Sequence, residues 1–146
     1  MKKLLFFVLL IVLVPYIIVT IFIEDNEIKF IFRENMQVRV KHDDTGIIES
    51  VPFEEYVTGV LAGEMPISFH IEALKAQAVA ARSYVMKKME YNKDKDYDVV
   101  DTIMNQVYLS DDYLRSVWKE DYDDKINKIK TAVIETKNKT LVEVDL

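Results

Sequence analysis

The hydrophobic pattern divides the chain near residue 23. Lys2 and Lys3 precede an uninterrupted apolar run from Leu4 to Ile23, and Glu24 and Asp25 close it. About 20 such residues at about 1.5 Å each match a hydrocarbon core of about 30 Å. Pro15 is compatible with a bilayer helix when neighbouring groups re-satisfy the backbone. Lysines on one side and acids on the other orient the amino terminus toward the cytoplasm. A cleaved signal peptide is the alternative; it would be shorter and end in small residues, whereas this run ends Val-Thr-Ile-Phe-Ile. Residues 1–23 are therefore expected to be cytoplasmic lysines and a transmembrane anchor, and residues 24–146 an extracytoplasmic domain.

Beyond the run the spacing changes twice. Residues 27–32 and 37–40 alternate with β-branched content, as short strands do, and Ile47 to Val51 follows the turn signal Asp43-Asp44-Thr45-Gly46 as a third strand. From Pro52 onward, Phe53, Tyr56, Val57, Val60 and Leu61 recur at three-and-four spacing, predicting a helix that ends near Gly63. Pro66 blocks its continuation. Ser68 is the expected N-cap of a second helix reaching about Tyr91, with Ile71, Leu74, Ala78, Ala81, Val85 and Met89 as its apolar stripe. Residues 92–98 read as a solvated charged loop. Ser110 caps a short helix from Asp111 to about Lys119, and a third long helix runs from about Asp123 to Lys137, with Ile126, Ile129, Ala132, Val133 and Thr136 inward. Thr140 to Val144 reads as a strand. The fold class expected is α+β: short strands, then a helix-rich half, behind one amino-terminal transmembrane helix.

Composition narrows the chemistry. All 25 acidic residues and 17 of the 19 basic ones lie beyond residue 23, a net charge of −8 there. That balance argues against nucleic acid, which selects a basic stripe. The chain has no cysteine, so disulfides and thiolate metal sites are excluded.

Residues 52–84 hold the densest motif. A lone acid, Glu64, stands in a Gly-Glu-Met-Pro turn directly before the alanine-rich helix that carries Lys75, Gln77 and Arg82. This turn and helix resemble the signature of the stage II sporulation protein D family (the SpoIID/LytB domain). The resemblance implies a cell-wall lytic transglycosylase or amidase modifier, with Glu64 as the catalytic acid and Lys75 and Arg82 among the polar, substrate-binding residues. It extends more weakly to residues 101–108, where the family often shows a His-Gln-x-Tyr pattern and this chain has Asn105 in the histidine's place. Some relatives are thought to bind zinc in this region. With only His42 and His70 and no cysteine, no metal and no cofactor are expected here.

The residues are suited to that chemistry on their own terms. A transglycosylase needs one carboxyl group, which protonates the leaving glycosidic oxygen and then takes the proton of the C6 hydroxyl as a 1,6-anhydro ring closes. A hydrolase needs a second carboxylate about 5–5.5 or 6.5–9.5 Å away. The acid must hold its proton near neutral pH, as a low-dielectric setting allows. Met65, Pro66 and Phe69 flank Glu64; the opposing reading makes Glu64 a turn residue paired with a lysine or with backbone amides. Lys75 and Arg82, seven residues apart, return to nearly the same helix face, about 20° out of register. They could hold sugar groups or a charged glutamate, or be solvent-facing cations lying along the helix. Gln77 points to another face and reads as structural. His70 beside Phe69 reads as a partly buried helix residue.

The resemblance also implies the partners: peptidoglycan glycan strands, a wall amidase and the membrane proteins of spore engulfment, with the membrane met through residues 4–23. Family members continue past a segment like residues 130–146 into a second part that lines the glycan groove. The domain is therefore expected to be shortened at its carboxyl end, as a fragment, as one half completed by another chain, or as a domain with a changed role. The rival function is non-enzymatic: a glycan-binding or amidase-stimulating module, or an inactive remnant.

Overall fold

The computed structural model describes residues 35–141, together with residues 10, 11, 13–15 and 17. The chain divides into two units, one made of residues 1–29 and 142–146, the other of residues 30–141. In the first unit the described residues are helical. Among the described residues no helix is long and apolar enough to cross a membrane. Most of the expected span at residues 4–23 lies outside them, as do the strand expected at residues 27–32 and most of the one expected from Thr140.

The second unit is α+β. Strand β1 (Gln37–Lys41) places Val38 and Val40 inward with no exposure at all, as strict alternation requires. It turns through Gly46, at φ +70°, into β2 (Ile48–Pro52), paired antiparallel with Val38 opposite Val51. A third strand, β3 (Val99–Val100), joins the free edge of β1 in parallel, so the sheet order is β2-β1-β3. β3 falls where the charged loop was expected to have just ended, and the loop itself is not wholly solvated. Asp98 is 3 % exposed because the Arg39 guanidinium meets it at 2.6 Å and the Arg39 backbone N–H donates to it at 2.8 Å. Asn92 is also buried, donating to the Asp98 carbonyl.

Four helices follow the hairpin. Helix α1 (Phe53–Glu64) starts directly after β2, and its residues from Tyr56 to Leu61 are all buried, so it is a central helix packed on every side. Helix α2 (Ile71–Tyr91) is capped by His70, whose Nδ1 accepts from the Glu72 N–H, rather than by Ser68; the chain needs Pro66 to Phe69 as a turn before it can enter the helix. His70 is exposed in that role, not partly buried within the helix. Helix α3 (Asp111–Trp118) carries the expected Ser110 cap, and α4 (Tyr122–Glu135) buries Ile126, Ile129, Ala132 and Val133 as its spacing predicts. Thr140 and Leu141 are not in a strand.

Two glycines on α1 decide how the segment before α3 is placed. A Cβ on Gly59 would collide with the Leu109 carbonyl and the Tyr108 ring, and one on Gly63 would come within 2.6 Å of the Val107 carbonyl. Residues 107–109 therefore lie directly on the α1 backbone, and the Leu109 N–H donates to the Gly59 carbonyl at 3.4 Å. That contact fixes residues 107–109 against the Gly59 and Gly63 face of α1.

Candidate functional site

Glu64 is the last residue of α1, where Met65 leaves the helix in an extended conformation and Pro66 prevents continuation. The carboxylate is exposed at the negative end of the helix dipole, which offers it no stabilisation. It is held instead by α2: Gln77 Nε2 donates to Glu64 Oε2 at 2.9 Å. The residue read as structural is thus the one that meets the candidate acid. Its spacing carried the signal, since the face of α2 that turns away from Lys75 and Arg82 is the face turned toward the end of α1.

The same face of α2 continues seven residues on to Tyr84. Its hydroxyl donates to Asn105 Oδ1 at 3.3 Å. Next to Asn105, Gln106 is buried, accepting from the Tyr56 hydroxyl and donating to the Ala81 carbonyl. Tyr56 stacks on Tyr108 with ring centroids 5.3 Å apart. Burial pushes both phenols well above their ordinary range, so both remain neutral donors. Asn105, Gln106 and the Tyr108 ring thus brace α1 against α2.

Lys75 and Arg82 look the other way. Lys75 Nζ lies 2.7 Å from Glu72 and 2.5 Å from Glu135, tying α2 to the end of α4, and these carboxylates, Glu135 first, raise its pKa. Arg82 has no exposed surface. Its guanidinium forks onto Glu54 at 2.8 and 3.1 Å and donates to the carbonyls of Ala78, Val133 and Lys139. One side chain thus joins the start of α1, the middle of α2 and the end of α4. Its position four residues after Ala78, on the edge of the apolar stripe, is a sequence signal for such burial. The hydrogen bonds of Glu64 and those of Lys75 and Arg82 involve separate partners.

His42 bridges Asp101 Oδ2 at 2.7 Å and Glu49 Oε2 at 3.1 Å across the sheet, and both carboxylates, Asp101 first, raise its pKa. Among the described residues no group of His, Asp and Glu is disposed to hold a metal ion. A cavity of about 420 Å³ opens between α1, α3 and α4, lined by Glu54, Glu55, Tyr108, Arg115 and Lys130 among others. A second, of about 530 Å³, lies beside His42, Asp101, Tyr108 and Tyr113. Glu64 lines neither of these two and is exposed.

Comparison with known proteins places this arrangement. The family model for the stage II sporulation protein SpoIID matches residues 41–142. The chain is 46 % identical over 98 residues to stage II sporulation protein D of Bacillus amyloliquefaciens, covering 64 % of this chain and 28 % of that protein. The protein of the same name from Bacillus subtilis (strain 168) gives 46 % identity over 98 residues, covering 29 % of its length. An uncharacterized protein of Brachyspira hyodysenteriae is 45 % identical over 71 residues, 19 % of its length. The chain thus spans less than a third of the length of these relatives. With the family's model matched over residues 41–142, which hold β2, β3 and helices α1 to α4, the chain belongs to the SpoIID family of stage II sporulation proteins.

Proposed function

We propose that this chain is a membrane-anchored lytic transglycosylase of peptidoglycan, with Glu64 as its single acid and base. Family membership supports a place in sporulation. The observation that carries the reading is the Glu64 carboxylate itself, presented at an exposed turn between two well-packed helices and held by one neutral amide. In the proposed reaction Glu64 gives its proton to the glycosidic oxygen as the bond to C1 of N-acetylmuramic acid breaks. The C6 hydroxyl then bonds to C1, and its proton returns to Glu64. No water enters, and the proton count closes. A bound glycan strand would cover the exposed carboxyl and supply the low-dielectric setting an acid needs. Residues 4–23 would hold the domain on the extracytoplasmic face, near a wall amidase and the engulfment proteins.

Lys75 lies at the surface, and contact with a sugar would mean leaving Glu72 or Glu135. Arg82, saturated and buried, would act on the site through the packing of α2 rather than by touching substrate. That burial favours a second reading, a non-catalytic glycan-binding or amidase-stimulating module, because Lys75 and Arg82 are paired with Glu72, Glu135 and Glu54 rather than with Glu64. The test is incubation of the full chain, wild type and Glu64→Gln, with peptide-free glycan strands, followed by mass spectrometry. Anhydro-ended fragments from the wild type alone are expected. No product from either folded protein would favour the non-catalytic module.

A further inference from the structure

The bond between Gln77 and Glu64 spans 13 positions and joins the second turn of α2 to the end of α1. The fold does not depend on it. Glu64 is exposed and Gln77 only half-buried, while Leu61 and Leu74, fully buried, belong to the core that packs the two helices. A lone polar contact at the surface adds little to stability.

What distinguishes glutamine at this place is that its amide has a donor end and an acceptor end. With Nε2–H toward Glu64 it serves the carboxylate. A half-turn about the terminal torsion, which is broad and two-fold, presents Oε1 to a protonated carboxyl instead. A lysine would serve the carboxylate alone, and an aliphatic side chain neither form. A group that must be acid and then base within one turnover needs a partner in both states. We propose that Gln77 is the positioning residue of Glu64, turning its amide as the proton leaves and returns. The proposal rests on the acid and base role given to Glu64 above.

Two measurements on the full chain test it. The first follows the Gln77 side-chain amide resonances and the Glu64 carboxyl carbon together through the carboxylate titration range. The Gln77 resonances are expected to move with Glu64 in the wild type and to stand still in Glu64→Gln. The second compares Gln77→Met with the wild type on peptide-free glycan strands. We expect kcat to fall roughly tenfold, with KM within about twofold, as for an interaction that matters in the transition state. Static Gln77 resonances in the wild type, or a Gln77→Met enzyme with wild-type kcat, would overturn the proposal. The titration needs no variant at position 77, so misfolding of Gln77→Met would not disarm it. A chain that cleaves no glycan while Gln77 still tracks Glu64 would remove the transglycosylase reading and keep the pairing.

Discussion

Helix α2 presents two polar faces that a helical wheel makes look alike and that the fold treats in opposite ways. On one, Lys75 and Arg82 are committed: Arg82 is sealed inside by Glu54 and three carbonyls, and Lys75 is bridged between Glu72 and Glu135. On the other, Gln77 reaches one exposed carboxylate and Tyr84 one amide. The first face holds three helices together. The second is lightly held and partly exposed, as the glycan-binding role proposed for it would require. Charge drew attention to the first face, but availability belongs to the second.

The comparison breaks most severely at Arg82. Arg82→Met should cost about 3–5 kcal/mol, because it leaves the Glu54 carboxylate without its guanidinium partner and removes one donor from each of three carbonyls. Urea denaturation measures this, and a variant as stable as the wild type would mean that the buried fork holds nothing. Gly59→Ala comes next, at about 1–3 kcal/mol, since its methyl group must displace the Leu109 carbonyl and the Tyr108 ring. It should also disturb the Tyr84 to Asn105 contact, visible as shifts in the Asn105 side-chain amide resonances.

His42 gives a smaller effect that depends on pH. Its pKa is raised in the folded state by Asp101 and Glu49, so its contribution is complete below the unfolded value of about 6.5. The contribution is lost as pH rises through the folded value. The stability gap between wild type and His42→Asn should therefore be about 1 kcal/mol or less in mild acid and should shrink in mild alkali. A gap that grows with pH would contradict the bridged geometry. Lys75→Met should matter least for stability, because its ion pairs are surface contacts, and the change in melting midpoint should be lost in high salt.

Much of this fold was legible because its signals are local. The three-and-four spacing of Phe53, Tyr56, Val57, Val60 and Leu61 gave α1 to within a residue, and the Ser110 cap gave the start of α3. The two inward valines of β1 followed from alternation. What escaped depends on partners far along the chain. Asp98 reads as one more acid in a charged loop until Arg39, 59 residues earlier, is placed beside it. β3 is two residues long and exists only because β1 has a free edge. The candidate site divided in the same way. Glu64 stood out through its turn, and the family resemblance was borne out by the matched region. The burial of Arg82 and the role of Gln77 needed the packing of α1 and α4 on either side of α2, which a single helical period cannot supply.

The most direct test of this division is the yield of anhydro-ended glycan per folded molecule, measured side by side for wild type, Glu64→Gln and Arg82→Lys. The two-faced account predicts no product from Glu64→Gln with its fold intact. It predicts product from the folded fraction of Arg82→Lys close to that of the wild type, however much that fraction has shrunk. Product from Glu64→Gln at the wild-type level, or a folded Arg82→Lys that makes none, would contradict it.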